Sequence, residues 1–167
     1  YKLRRDDGTF SYAAHAAVLA IDPHFGTVEI IKYVVVEDGG VLINPMIVDG
    51  QILGGAAQGI GTALYEEMPF DENGQPLFST LADYVLPGAT EVPNIHIEHM
   101  ETPSPYSFFG QKGIGEGGAI GSVAAVTNAV NDALRQVGAE VNETPMTPRR
   151  ILTAIQEAKT KRESVGT

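Results

Sequence analysis

Six glycines stand within the thirteen residues "GQKGIGEGGAIGS", Gly110–Ser122, and Gly54, Gly55, Gly59 and Gly61 interrupt the otherwise helical pattern of "GQILGGAAQGIGTALYEE". Each glycine in a helix interior costs about 1 kcal/mol relative to alanine. A chain that keeps so many needs its backbone approached closely, either by another element in tight packing or by a bulky ligand, and both readings stand at this point. Ile52, Ala56, Ile60, Ala63 and Leu64 nevertheless share one helical face, so the spacing predicts a helix between Gly50 and Glu67.

Around this segment the patterning changes from element to element. Ser11–Ile21 and Thr27–Val36 are rich in β-branched, aromatic and small residues and flank "DPHFG", which predicts an antiparallel hairpin. Gly39 and Gly40 stop the second strand, and Asn44-Pro45 favours a turn in a loop leading onward. "DENGQP" reads as a turn, "IHIEHM" alternates as a half-buried strand, and "TPSPYSFFG" is a Pro-bounded loop with three aromatics. Beyond Glu116, Ile120, Val123, Thr127, Val130, Leu134 and Val137 recur at intervals of three and four, giving a helix that Gly138 ends. Thr147 and Pro148 are an N-cap and first-turn pair for a short closing helix, and "KTKRESVGT" reads as a frayed polar tail. Strands and helices do not alternate regularly, so the class is α+β, a mixed or antiparallel sheet packed with helices in one domain over residues 1–158, followed by the tail at 159–167. The opening "YKLRRDDGTF" lacks an initiator Met and becomes strand-like almost at once, which reads as a piece of a longer chain.

Several function classes are excluded early. With 21 acidic against 11 basic residues, a formal charge of −10, the chain repels phosphate backbones, so nucleic acid is not an expected partner. The absence of cysteine excludes a disulfide, a thiolate zinc site or Fe–S ligands from this chain. Its apolar runs are too short and interrupted for a membrane span, which makes the cytoplasm the default location. Gly113, Gly115 and Gly118 match the dinucleotide-binding G-x-G-x-x-G, but a loop with two prolines leads into them and Glu116 would face the pyrophosphate. Lys112 precedes the glycines rather than following them, so no phosphate loop is present either. His15, His24, His96 and His99 form no metal-binding pattern, and His96 and His99 point to opposite faces of their strand; all four read as structural or exposed.

Glu116 is the residue that composition does not explain. At the mouth of the long helix, free N–H groups and the helix dipole favour its ionised form, while burial among glycines would oppose it. On the residues alone it is equally a helix cap or a group ready to take a proton.

Taken together, "VDGQILGGAAQGIG" and "TPSPYSFFGQKGIGEGGAIGSVAAVTNAVNDAL" resemble the C-terminal part of the molybdenum-binding large subunit of the xanthine dehydrogenase/aldehyde oxidase family, in the branch that includes aerobic carbon monoxide dehydrogenases. The resemblance extends from "DPHFGTVEIIKYVVVEDGGVLINP" to "TPRRILTAI", several motifs in order. It implies the fold of the C-terminal molybdopterin-binding domain and makes Glu116 the general base for hydroxylation of an N-heterocycle or aldehyde, or oxidation of carbon monoxide. Gln51 and the loop Lys112, Gly113, Ile114 and Gly115 would contact the cofactor, and the chain itself would supply no metal ligand. Implied further are a molybdopterin with molybdenum, in its cytosine dinucleotide form, and Fe–S and FAD centres on other domains or subunits. The partners would be the remainder of the molybdenum-binding subunit, Fe–S and flavin subunits, and a small-molecule substrate. Tyr106, Phe108 and Phe109 either line the substrate channel or pack against the core. The alternative function is a non-catalytic assembly domain of the same fold that binds partner subunits.

Overall fold

The structure, a computed structural model, describes residues 8–165; the strand-like reading of residues 1–7 and the end of the tail, 166–167, lie outside them. The predicted hairpin forms around Asp22, whose carboxylate accepts from the amides of His24 at 2.7 Å and Phe25 at 3.2 Å. It joins β1 (Tyr12–Ile21) to β2 (Val28–Asp38), antiparallel from Ile21↔Val28 to Tyr12↔Asp38. The strand β3 (Ile95–Met100) lies parallel on the other side of β2, from Tyr33↔Ile95 to Asp38↔Met100, so the sheet is mixed with order β1-β2-β3.

One irregularity in β2 decides which way its end faces. Val18 pairs with Lys32 and Leu19 with Ile30, which leaves Ile31 without an opposite residue, as in a β-bulge. Since successive side chains take opposite faces, the extra residue exchanges them. Val28 and Ile30 turn toward the core before it, and Tyr33, Val35 and Glu37 after it. Asp38 therefore faces away from Glu37, yet both are buried.

The helix α1 (Pro45–Leu64) starts earlier than its apolar spacing predicts. Asn44-Pro45 is its start rather than a turn before it: the Asn44 side chain accepts from the Ile47 amide at 3.2 Å, and Pro45 occupies the first turn, where its missing N–H costs nothing. The helix predicted after Glu116 is two pieces, α2 (Gly117–Ile120) and α3 (Ser122–Arg135), divided at Gly121. A Cβ at Gly121 would lie 2.5 Å from the His15 ring, so the chain passes over β1 there with no room for a side chain. α4 (Pro148–Val165) opens at the predicted pair but continues through most of the stretch read as frayed.

Helices cover the inward face of the sheet. Ile52, Ala56 and Ile60 of α1, Val126 and Val130 of α3, Ile151 of α4 and Tyr33 and Val35 of β2 are wholly buried. Each large aliphatic side chain among them contributes about 1.5–3 kcal/mol by leaving water. The glycines now divide into two sets. A Cβ at Gly55 would come 2.7 Å from the Ala119 amide, one at Gly59 would collide with Ser122, and one at Gly118 would come 2.4 Å from the Ile52 carbonyl. Gly55 and Gly118 meet backbone and Gly59 the Ser122 side chain, where α1 crosses the start of α2 and α3. Gly54, Gly113 and Gly115 have no atom within 4 Å of the Cβ position, so the packing of the described chain does not require glycine there. Among the described residues, no helix is long and apolar enough to cross a membrane.

Candidate functional site

The segment that carries Glu116 is fastened to the end of β2. Gly40 and Gln111 form an antiparallel bridge, the Lys112 amide donates to the Gly39 carbonyl at 2.8 Å, and the Val41 amide donates to the Gly110 carbonyl at 3.2 Å. Gly40 takes a left-handed φ of +66°, and a Cβ on it would lie 2.3 Å from the Gly110 carbonyl oxygen, so only glycine admits the loop so close.

Beyond this bridge the side chains alternate. Lys112 and Ile114 are the covered ones: the Lys112 ammonium reaches the Asp38 carboxylate at 3.0 Å and lies 4.8 Å from the centre of the Tyr12 ring, while Ile114 packs against the core. Gly113 and Gly115 between them present bare backbone to the outside. Of the predicted cofactor-contacting loop, then, Lys112 has its charge spent on Asp38, and what it offers outward is backbone.

Glu116 follows, exposed, at the start of α2. Its side chain makes no capping hydrogen bond; its carbonyl oxygen accepts from the Ala119 amide at 3.0 Å and the Ile120 amide at 3.2 Å. Two expectations change here. Glu116 is not buried among glycines, and it stands before a single helical turn rather than the long helix, whose own first residue is Ser122. Gln51 lies exposed in α1 beside Ile52, and Ile52 is what Gly117 and Gly118 pack on. That contact sets the chain segments that carry Gln51 and Glu116 side by side. Tyr106, Phe108 and Phe109 are exposed, Phe108 to 92%, so they do not pack into the core of this domain.

Sequence reasoning missed the charged groups that fasten these segments. Asp38 is fully buried; its Oδ1 accepts from the Gly40 amide at 2.9 Å, the Thr102 amide at 3.2 Å and the Lys112 ammonium. Burial alone would raise its pKa, but hydrogen bonds from Thr102, Lys112, Tyr12 and the Gly40 amide outweigh it and hold the carboxyl well below the usual range. On the opposite face, Glu37 meets His99 Nδ1 at 2.5 Å, and His99 Nε2 meets Asp49 at 2.8 Å. Burial lowers the His99 pKa, and hydrogen bonds and charge from Glu37 and Asp49 more than reverse this, so the ring is biased toward its cationic form, a donor at both nitrogens. His99 thus ties β3 to β2 and to α1 two residues before Gln51. Glu37 Oε2 and Asp38 Oδ2 are buried with no hydrogen-bond partner among the described residues. The readable signal was "EDGG": two acids in succession at a strand end must take opposite faces. Among the described residues, no cluster of three His, Cys, Asp or Glu is arranged to hold a metal ion.

Comparison with known proteins bears on this site. A family model described as the molybdopterin cofactor-binding domain matches residues 2–93, a span that includes Gln51 and ends before the Glu116 loop. The nicotine 6-hydroxylase large subunit of Paenarthrobacter nicotinovorans is 45% identical over 145 residues, 87% of this chain and 18% of that one. The carbon monoxide dehydrogenase large chain of Hydrogenophaga pseudoflava is 38% identical over 149 residues, 89% of this chain and 19% of that one. Among solved structures, quinoline 2-oxidoreductase from Pseudomonas putida 86 superposes with a TM-score of 0.84 at 48% identity, covering 86% of this chain and 18% of that chain. This chain spans less than a fifth of the length of each of these relatives.

Proposed function

Because the chain belongs to the molybdopterin cofactor-binding domain family, we propose that it forms one wall of the active site of a molybdenum hydroxylase and that Glu116 is the general base there. The observation that carries this reading is the pairing of an exposed carboxylate that caps nothing with a strip of bare backbone, Gly113 and Gly115, whose glycines the packing of the described chain does not demand. A wide, flat cofactor needs such a surface, and its polar edge can take hydrogen bonds from amides that no side chain shields. The residues present therefore fit a pterin cofactor, with Gln51 and the backbone of Lys112, Gly113, Ile114 and Gly115 as its contacts. When bound, the molybdenum cofactor supplies the oxygen transferred to the substrate and takes up two electrons.

The work of this chain is proton transfer and placement. Glu116, whose carboxylate makes no capping hydrogen bond among the described residues, would hold the proton released as oxygen is transferred, which requires a separation of about 2.6–3.2 Å in the assembled site. Gln51, on the α1 side of the Ile52 contact, orients the cofactor from the neighbouring edge. The substrate class is an electron-poor carbon in an N-heterocycle or aldehyde, or carbon monoxide. Fe–S and FAD centres on other domains or subunits of a cytoplasmic complex carry the electrons away, and the pterin is the cytosine dinucleotide form. Exposed Ile43, Met46 and Ile120, each more than 70% accessible, suit burial against the remainder of the molybdenum-binding subunit.

Substitution Glu116→Gln in the complete enzyme tests the role of the base. The expected result is a loss of turnover of about 10²–10⁴-fold, with molybdenum content and subunit assembly unchanged. Turnover equal to the parent would contradict it and leave the chain a non-catalytic assembly domain.

A further inference from the structure

The geometry points to Asp38 as a positioning residue: its buried ion pair with Lys112 is the latch that holds the Lys112–Glu116 loop at the height where Glu116 works, an inference that rests on the reading of Glu116 as the base. Among the described residues the Glu116 side chain makes no capping hydrogen bond, and the exposed glycines Gly113 and Gly115 before it give the loop little stiffness of its own. Its placement must come from the points where the loop is tied down. Downstream of it Gly117 and Gly118 pack on Ile52; upstream the ties are the Gly40–Gln111 bridge, the Ile114 side chain, and Lys112, four residues from Glu116.

Of the upstream ties, the Lys112 ammonium supplies the charged one, beside the backbone hydrogen bonds at Gly39 and Gly110. Its side chain is 6% exposed and that of Asp38 fully buried, so neither charge has water to fall back on. Breaking a pair of this kind from one side is far costlier than breaking a surface pair, because the remaining charge is stranded. Asp38 is also the better hub, since the same oxygen accepts from the Gly40 amide, at the bridge, and from the Thr102 amide, at the start of the loop that returns to Gly110. A single carboxylate oxygen therefore fixes three strands of chain at one place. Tyr12, opposite Asp38 in the sheet register, closes the cluster with its ring beneath the ammonium. The bulge at Ile31 is what makes this possible: without the extra residue Asp38 would turn inward and Glu37 would face the loop.

The test uses the complete enzyme with three variants, Asp38→Asn, Lys112→Met, and both together, the last because it strands no charge and guards against simple misfolding. Two readouts are taken: amide hydrogen exchange of residues 110–121, and kcat separately from KM. The latch predicts exchange across that stretch at least about tenfold faster in each single variant, with kcat down by about 10–100-fold, as expected for a misplaced catalytic group, and KM little changed. It further predicts that the double variant loses no more kcat than the worse single, since both remove one interaction. Exchange at parental rates in Asp38→Asn, or losses in the two single variants that multiply in the double, would overturn the proposal. A failure of Glu116 as base is seen separately: parental turnover in Glu116→Gln sinks the catalytic reading, whereas the exchange data judge the latch without reference to turnover.

Discussion

His99 shows how a single side chain can be misjudged from its neighbours in sequence. Alternation assigns it to the opposite face from His96, and in the fold His96 does meet Glu98 on the outer face, with His99 turned inward. What alternation cannot supply is the far partner: Glu37 lies in another strand and Asp49 in a helix, and only the parallel register Glu37↔His99 brings them together. Asp38 was hidden for the same reason, since its partner Lys112 is distant in sequence. Glu116 stood out because the glycines around it are local, whereas its exposure and the single helical turn after it needed the structure. A prediction follows from the His99 ring. Its pKa is raised in the folded state, by Glu37 and Asp49 against the opposing effect of burial. The stability it contributes is thus fully present below the unfolded value of about 6.5 and is lost as pH rises through the folded value. Denaturant midpoints measured at rising pH should fall over that window for the parent and stay flatter for His99→Gln; parallel profiles would show that the ring does not couple Glu37 and Asp49 to folding.

Helix boundaries divide the same way. Thr147-Pro148 marks the start of α4 in sequence and structure alike, whereas the equivalent Asn44-Pro45 at the start of α1 reads as a turn, because the apolar spacing becomes regular only several residues later. What the sequence does not show at Gly121 is the His15 ring beneath it, a contact across the fold that leaves no room for a side chain. The hairpin, β3 and the stop after α3, which ends at Arg135 with Gly138 at a left-handed φ closing the turn beyond it, followed from turn chemistry and periodicity within each segment. The glycines, open to two readings in the sequence, separate by position. Gly118→Ala would place a methyl 2.4 Å from the Ile52 carbonyl, a backbone atom that cannot move aside. It should destabilise by about 1–3 kcal/mol, as overpacking does. Gly54→Ala meets nothing within 4 Å and should stabilise by about 0.5–1 kcal/mol through helix propensity alone. Denaturant titration of both variants checks the pair, and equal shifts would contradict the assignment of Gly118 to the helix crossing.

The molecule as a whole is a fastening frame with one worked edge. A three-stranded sheet backed by helices places two successive acids on opposite faces: Glu37 ties down α1 next to Gln51 through His99, and Asp38 ties down the loop that leads to Glu116. The α+β class and the family were both legible in the sequence, the family from ordered motifs and the class from the lack of strand–helix alternation. The mixed character of the sheet needed the structure, since nothing local in "IHIEHM" says whether it pairs parallel or antiparallel. The most direct test of the central claim is the molybdenum and pterin content of the untagged polypeptide isolated from its native source, measured with the chains that accompany it. The account predicts molybdenum and pterin in fixed proportion to this chain, within a larger assembly. A preparation free of both would contradict it, and Glu116 would then be an exposed residue at a helix start with no chemistry to perform.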